Sequence, residues 1–157
     1  MRILVISDSH GRTREIEKII EAHPDIIHVF FLGDCVRDVE DLTYIYNDRI
    51  FHIAEGNCDG YTMYKSWDTV TINKKKILFT HGHGFSVKLG MERLYEIAKN
   101  LSVELVLYGH THHAVTEYAD GIHYVNPGSI SSGRDGFTSY AIVDLADKGI
   151  VPNIIRT

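Results

Sequence analysis

Five times along this chain, a short apolar run leads into residues of metal-binding type. Ile3-Leu4-Val5-Ile6 precedes Asp8-Ser9-His10, and Val29-Phe30-Phe31-Leu32 precedes Gly33-Asp34. Ile53-Ala54-Glu55 precedes Gly56-Asn57, and Ile77-Leu78-Phe79-Thr80 precedes His81-Gly82-His83. Leu105-Val106-Leu107-Tyr108 precedes Gly109-His110-Thr111-His112. Unbroken apolar runs of this length suit strands buried on both faces, as in parallel sheets covered by helices. In such sheets ligands bind beyond the carboxyl ends of the strands. The pattern therefore predicts that polar residues far apart in sequence converge on one edge of a sheet.

The segments between these runs complete an α/β plan. Ile16, Ile19 and Ile20 have helical spacing within 13–21, and Pro24 closes that segment. A strand at 26–32, a helix at 36–46 and a strand at 50–54 follow, which makes a parallel α/β half. Later, 67–72 alternates in polarity, and Lys74-Lys75-Lys76 reads as the turn into a strand at 77–80. Val87, Met91, Leu94, Ile97, Ala98 and Leu101 share one face of a helix predicted over 87–101. Strands at 115–118 and 122–125 flank the turn Ala119-Asp120-Gly121, and strands at 140–145 and 150–155 end the chain. No repeat or linker interrupts it. One domain over 1–157 is expected, with two mixed sheets packed face to face and helices outside.

Composition narrows the classes. A chain of 157 residues with 44% hydrophobic and 24% charged residues suits a globular protein with a sizeable core. No run approaches the roughly 20 apolar residues of a membrane span. The N-terminal apolar run is too short for a signal peptide, so no membrane association and a cytoplasmic location are expected. Net charge is −5, and the largest basic cluster is the 74–76 triplet, which argues against an extended nucleic-acid footprint. Two cysteines, Cys35 and Cys58, are too few for a disulfide framework and suit a reducing compartment. Tyr44, Tyr46, Tyr61 and Tyr64 form an aromatic set that leaves a homo-oligomeric contact open.

Seven residues are candidate metal ligands: Asp8, His10, Asp34, Asn57, His81, His110 and His112. They offer oxygen and imidazole nitrogen without a thiolate. That set suits Mn, Fe, Zn, Co or Ni better than Mg or Ca alone. Seven donors exceed the needs of one ion once water is included. Two ions bridged by a carboxylate use them, and Asp34 is the candidate bridge. Two ions about 3.5–4 Å apart can share a hydroxide that attacks phosphorus while both hold the phosphoryl oxygens.

Taken in order, Asp-x-His, Gly-Asp, Gly-Asn, His-Gly-His and Gly-His-Thr-His resemble the calcineurin-like metallophosphoesterases, over nearly the whole chain. The short length, Gly56-Asn57-Cys58-Asp59 and Asn126-Pro127-Gly128-Ser129 resemble the small bacterial and archaeal phosphodiesterase branch, which is Vps29-like. The resemblance implies an αββα fold, a two-sheet mixed β-sandwich flanked by helices. It implies one ion on Asp8, His10, Asp34 and His112, and a second on Asp34, Asn57, His81 and His110. The implied activity is hydrolysis of a small or activated phosphodiester with two divalent ions, Mn first and Ni, Co, Zn or Fe as alternatives. A non-catalytic Vps29-like scaffold and a metal-dependent phosphomonoesterase are the competing functions. A scaffold has no reason to keep all seven ligands.

Asn57, Cys58 and His83 are the catalytic candidates. Many family members carry a proton-donating His where this chain has Cys58. A thiol is a weak hydrogen-bond donor, so leaving groups needing little protonation are expected. A small residue that merely fits is the alternative account of Cys58. Asp59 is a candidate to orient a water or His83. Ser129 is either part of a turn or lines the pocket, and Arg134 either reaches a phosphate or sits on a surface loop. Arg12 reads as a surface residue at a helix start, His113 should point away from the site, and His23, His28, His52 and His123 read as structural or surface residues.

Overall fold

The computed structural model describes residues 1–157. Along the chain run β1 (Arg2–Ile6), α1 (Thr13–Ala22), β2 (His28–Phe31), α2 (Arg37–Ile45) and β3 (Ile50–Ile53). Then come β4 (Trp67–Ile72), β5 (Lys75–Thr80), a 3-10 turn (His83–Phe85), α3 (Glu92–Leu101) and β6 (Leu105–Leu107). The chain ends in β7 (Ala114–Ala119), β8 (Ile122–Pro127), β9 (Ser139–Ala146) and β10 (Gly149–Arg156). Two five-stranded sheets result, ordered β10-β9-β1-β2-β3 and β4-β5-β6-β8-β7.

β1 explains the first sheet. It pairs in parallel with β2, Ile3 opposite His28 through Ile6 opposite Phe31, and antiparallel with β9 on its other side. Alternation sends Ile3 and Val5 into the core between the sheets, with Phe30, Ile77, Phe79 and Leu107. Leu4 and Ile6 face outward onto the helix layer, with Ile16, Ile20, Val39 and Leu42. A side chain of this kind contributes about 1.5–3 kcal/mol when fully buried. On the second sheet β5, β6 and β8 run parallel, and α3 lays Leu94 and Ala98 over Leu78 and Val106. The layers are helix, sheet, sheet, helix, which is the expected αββα arrangement.

Two local expectations need correction. The turn between β4 and β5 is Asn73-Lys74, both at left-handed φ (46° and 63°), while Lys75 and Lys76 belong to β5. The helix expected over 87–101 begins only at Glu92. Ser86 takes φ 58° after the 3-10 turn, which a continuous helix cannot accommodate. Val87 is still buried against α3's core, so the apolar spacing was real but not helical there. Of the tyrosine set, Tyr46 and Tyr64 pack on the core, while Tyr44 and Tyr61 are exposed. No helix is long and apolar enough to cross a membrane.

Candidate metal centre

Just past the strand ends the backbone turns sharply. Asp8, His10, Asp34, His110 and His112 sit at φ 56°, 44°, 61°, 68° and 59°. Side chains other than glycine rarely take this left-handed region, and each instance costs on the order of 1–3 kcal/mol. Hydrogen bonds hold it in place. The Asp8 amide donates to the Gly33 carbonyl (3.1 Å), and the Asp8 carbonyl accepts from the Ser129 and Ser131 hydroxyls (2.9 and 2.8 Å). The Gly109 amide donates to the His81 carbonyl (3.0 Å), and the His110 amide to Asp8 Oδ2 (3.2 Å). Gly109 leaves no room for a side chain: a Cβ would fall 2.1 Å from Ser7 Oγ.

These turns aim side chains at one another. Asp8, His10, Asp34 and His112 each present a donor atom within 4.8 Å of the others, and so do Asp34, His81 and His110. Asp34 belongs to both groups through different oxygens. Its Oδ1 lies 3.4 Å from His81 Nε2, and its Oδ2 lies 3.8 Å from His10 Nε2. Asn57 Oδ1 joins the second group, 3.2 Å from His81 Nε2. All seven predicted ligands therefore meet at one edge of the molecule.

The donor atoms fit cations. His81 Nδ1 donates to the Leu32 carbonyl (2.7 Å) and His112 Nδ1 to the Ser132 carbonyl (2.9 Å). A carbonyl can only accept, so each neutral ring turns an Nε2 lone pair inward. His112 Nε2 then faces Asp8 Oδ1 at 3.1 Å, lone pair against carboxylate, and Asp8 Oδ1 is buried with no hydrogen-bond partner. His81 Nε2 likewise faces Asn57 Oδ1, Asp34 Oδ1 and, at 3.0 Å, His110 Nδ1. Acceptors gathered this way call for positive charge between them, from a cation or from a ring proton. Backbone carbonyls orienting the far ring nitrogen are the usual outer support of metal-binding imidazoles.

Without a cation, a proton on the His112 ring supplies that charge. Burial pushes the Asp8 carboxyl up, but the His112 hydrogen bond and the His81 charge outweigh it and leave it below the usual range. The same contact raises His112. Burial and then the His81 and Lys88 charges push His110 down to about 4.

The three catalytic candidates border this centre. Asn57 Nδ2 donates to Cys58 Sγ (3.4 Å), and the Cys58 amide donates to Asp34 Oδ1 (3.0 Å). Desolvation, then the Asp34 charge, pushes the Cys58 thiol up to about 11. The His83 ring lies 5.4 Å from that of His81 and 6.2 Å from that of His110, with its buried Nδ1 unpartnered.

Asp59 and Ser129 act on the backbone. The oxygens of Asp59, a candidate to orient a water or His83, accept instead from the amides of Asp34, Cys35, Val36 and Gly56 at 2.6–3.0 Å. Ser129 is fully buried and holds Asp8's backbone instead of lining a pocket. Two further supports were not foreseen. Asp38 accepts from Ser9 Oγ and the Gly11 amide (2.6 and 2.7 Å), and buried Asn126 donates to the Gly109 carbonyl (2.9 Å). Their partners are remote in sequence: no motif marks Asp38, and the Asn126-Pro127-Gly128-Ser129 motif gave no sign of what Asn126 holds.

The other histidines stand outside the centre. His113 pairs with Asp135 at 2.6 Å, His23 with the Tyr140 hydroxyl, and His28 with His52 (3.0 Å), while His123 packs on Tyr118. Arg12 is exposed at the start of α1. The Arg134 amide donates to the His112 carbonyl (3.0 Å), which ties its loop to the centre.

Residues 1–148 match the calcineurin-like phosphoesterase superfamily domain. The chain is 33% identical over 147 residues to the probable metallophosphoesterase YsnB of Bacillus subtilis, covering 92% of this chain and 85% of that one. It is 30% identical over 169 residues to the phosphodiesterase MJ0936 of Methanocaldococcus jannaschii, covering 94% and 95%. Among solved structures, a predicted phosphoesterase of Streptococcus pneumoniae superposes with TM-score 0.88 at 28% identity, covering 99% of this chain and 88% of that one. Zinc-bound Vps29 of Entamoeba histolytica superposes at 0.73 with 20% identity and 99% coverage of both chains, a likeness of fold alone.

Proposed function

This chain belongs to the calcineurin-like phosphoesterase superfamily and is a metal-dependent phosphoesterase, and we propose that it hydrolyses small or activated phosphodiesters with two divalent ions. The observation that carries the reading is the division of Asp34, one oxygen toward each set of donors. Asp8, His10, Asp34 and His112 would hold one ion, and Asp34, Asn57, His81 and His110 the other. Mn is the first candidate, since oxygen and imidazole donors without thiolate suit it, with Ni, Co, Zn or Fe as alternatives. When bound, such a pair supplies a water acidic enough to attack phosphorus near neutral pH and positive charge over the phosphoryl oxygens.

The remaining work falls to the chain's own side chains. The carbonyls of Leu32 and Ser132 keep His81 and His112 in the tautomer that faces inward. Burial pushes the His83 imidazole below its usual pKa, so it is neutral at pH 7 and has one ring N–H to offer a phosphoryl oxygen. Cys58 Sγ keeps its proton at that pH but donates weakly, so the departing oxygen receives little help. Esters with good leaving groups should therefore dominate. Neither cysteine is in a disulfide, which supports a cytoplasmic setting.

A panel of p-nitrophenyl phosphate, bis(p-nitrophenyl) phosphate and an alkyl diester, assayed with Mn, Ni, Co, Zn and Mg, tests this reading. The aryl diester should turn over fastest, and Asp34→Asn should lower that rate by roughly 100-fold or more. Faster monoester cleavage would favour a phosphomonoesterase. Turnover no greater than that of Asp34→Asn with every metal would favour a scaffold.

A further inference from the structure

Beside the metal centre lies a cavity of about 540 Å³. Its walls are Val87, Met91, Tyr108 and Val115, and it also carries Lys88 and Arg134. It opens from the ligand turns themselves: Thr111 and His113, which flank His112, also line it. Two backbone bonds fix its position relative to the ions' donors. The Arg134 amide donates to the His112 carbonyl (3.0 Å), and the Val87 amide to the carbonyl of Gly82, next to His81.

The charges in this cavity are arranged for an anion. Neither Lys88 nor Arg134 has a side-chain hydrogen bond or an ion pair with any residue of the chain. One acid, Glu117, also lines the cavity, so its two cations outnumber its carboxylate; Glu117 accepts from the Tyr95 hydroxyl (2.7 Å), and the neighbouring Asp135 is held by His113 and the Ala114 amide (2.6 and 2.7 Å). The chain as a whole carries −5, so an anion arriving here is drawn by these local cations and not by the overall field. Guanidinium and ammonium groups both bind phosphate oxygens, and an apolar wall suits an aryl ring or a base.

We propose that this cavity receives one arm of the diester and selects arms that combine an apolar or aromatic body with a second anionic group, such as a further phosphate. The proposal rests on the diesterase reading for what occupies the metal centre, but it concerns a separate set of residues.

Calorimetric titration of Mn²⁺-loaded protein with thymidine 5′-monophosphate and thymidine 3′,5′-bisphosphate tests it, because the two ligands differ only in the second phosphate. The bisphosphate should bind about ten-fold more tightly, as expected of one well-placed charge-assisted contact. The double variant Lys88→Ala/Arg134→Ala should bring the ratio close to one. Both side chains are exposed, so the fold should survive. Lys74→Ala/Lys148→Ala removes the same charge from hairpin turns elsewhere and should keep the ratio. Equal affinities in the unaltered protein, or a ratio that falls equally in both double variants, would overturn the proposal. Turnover of bis(p-nitrophenyl) phosphate is read in parallel. A ten-fold ratio without turnover would sink the diesterase reading and leave the cavity's preference standing.

Discussion

Five of the seven donors hang from backbone that L-residues seldom adopt. Their strain is tolerated because neighbouring groups over-determine it, and such positions tend to cluster at functional sites. Gly109 is the tightest of these supports. Gly109→Ala would drive a methyl into Ser7 Oγ, which itself donates to Asp8 Oδ2, and into that oxygen. Metal affinity should fall by about 10–100-fold, as it does when outer support of a ligand is lost, with the far-ultraviolet circular dichroism unchanged. Titration calorimetry with Mn²⁺ checks this. The donors themselves were legible in the sequence, since each is a metal-binding residue type placed after a strand-like run. Their supports were not. Asp59 serves amides 23 to 25 residues away in the chain, and Ser129 serves a carbonyl 121 residues away. An Asp or Ser engaged in this way looks like any turn residue.

The strands and helices were mostly readable, because burial on both faces leaves its mark as unbroken apolar runs. Where a buried side chain belongs to an irregular segment, as Val87 does, periodicity misleads. β3 illustrates a different contribution. It is an edge strand, and His52 stacks on Phe30 (4.4 Å between rings) and bonds to His28 across to β2. Burial, with the His28 charge second, pushes His52 down to about 4. Between that value and the ordinary 6.5, the unfolded chain takes up a proton that the folded chain refuses. Folding stability due to this group is therefore intact above pH 6.5 and declines as pH falls toward 4. His52→Phe should flatten the decline in urea midpoint between pH 7.5 and pH 5. The difference should be on the order of 1 kcal/mol, allowing for the ring's partial exposure.

The two sheets share the centre unequally but necessarily. Asp8, His10, Asp34 and Asn57 follow strands of the first sheet, and His81, His110 and His112 follow strands of the second. Each donor set draws on both. Ions that bind the folded chain alone should therefore stabilise the contact between sheets. At 100 times the dissociation constant, linkage contributes about 2.7 kcal/mol, or roughly 5–10 °C in Tm for a chain of this size. Mn²⁺ should raise Tm by that order over protein treated with chelator, and Asp34→Asn should lose most of the rise. Differential scanning calorimetry reads both.

The anchoring of Asp8 by Ser129 and Ser131 bears on how the protein is made. A chain released from the ribosome only as far as residue 128 already contains every donor. It lacks the hydroxyls that hold Asp8's carbonyl and the strand β9 that flanks β1. Capturing metal in the proper geometry is thus deferred until the segment carrying Ser129, Ser131 and β9 has been made. An unfinished chain carries the ligands without the centre.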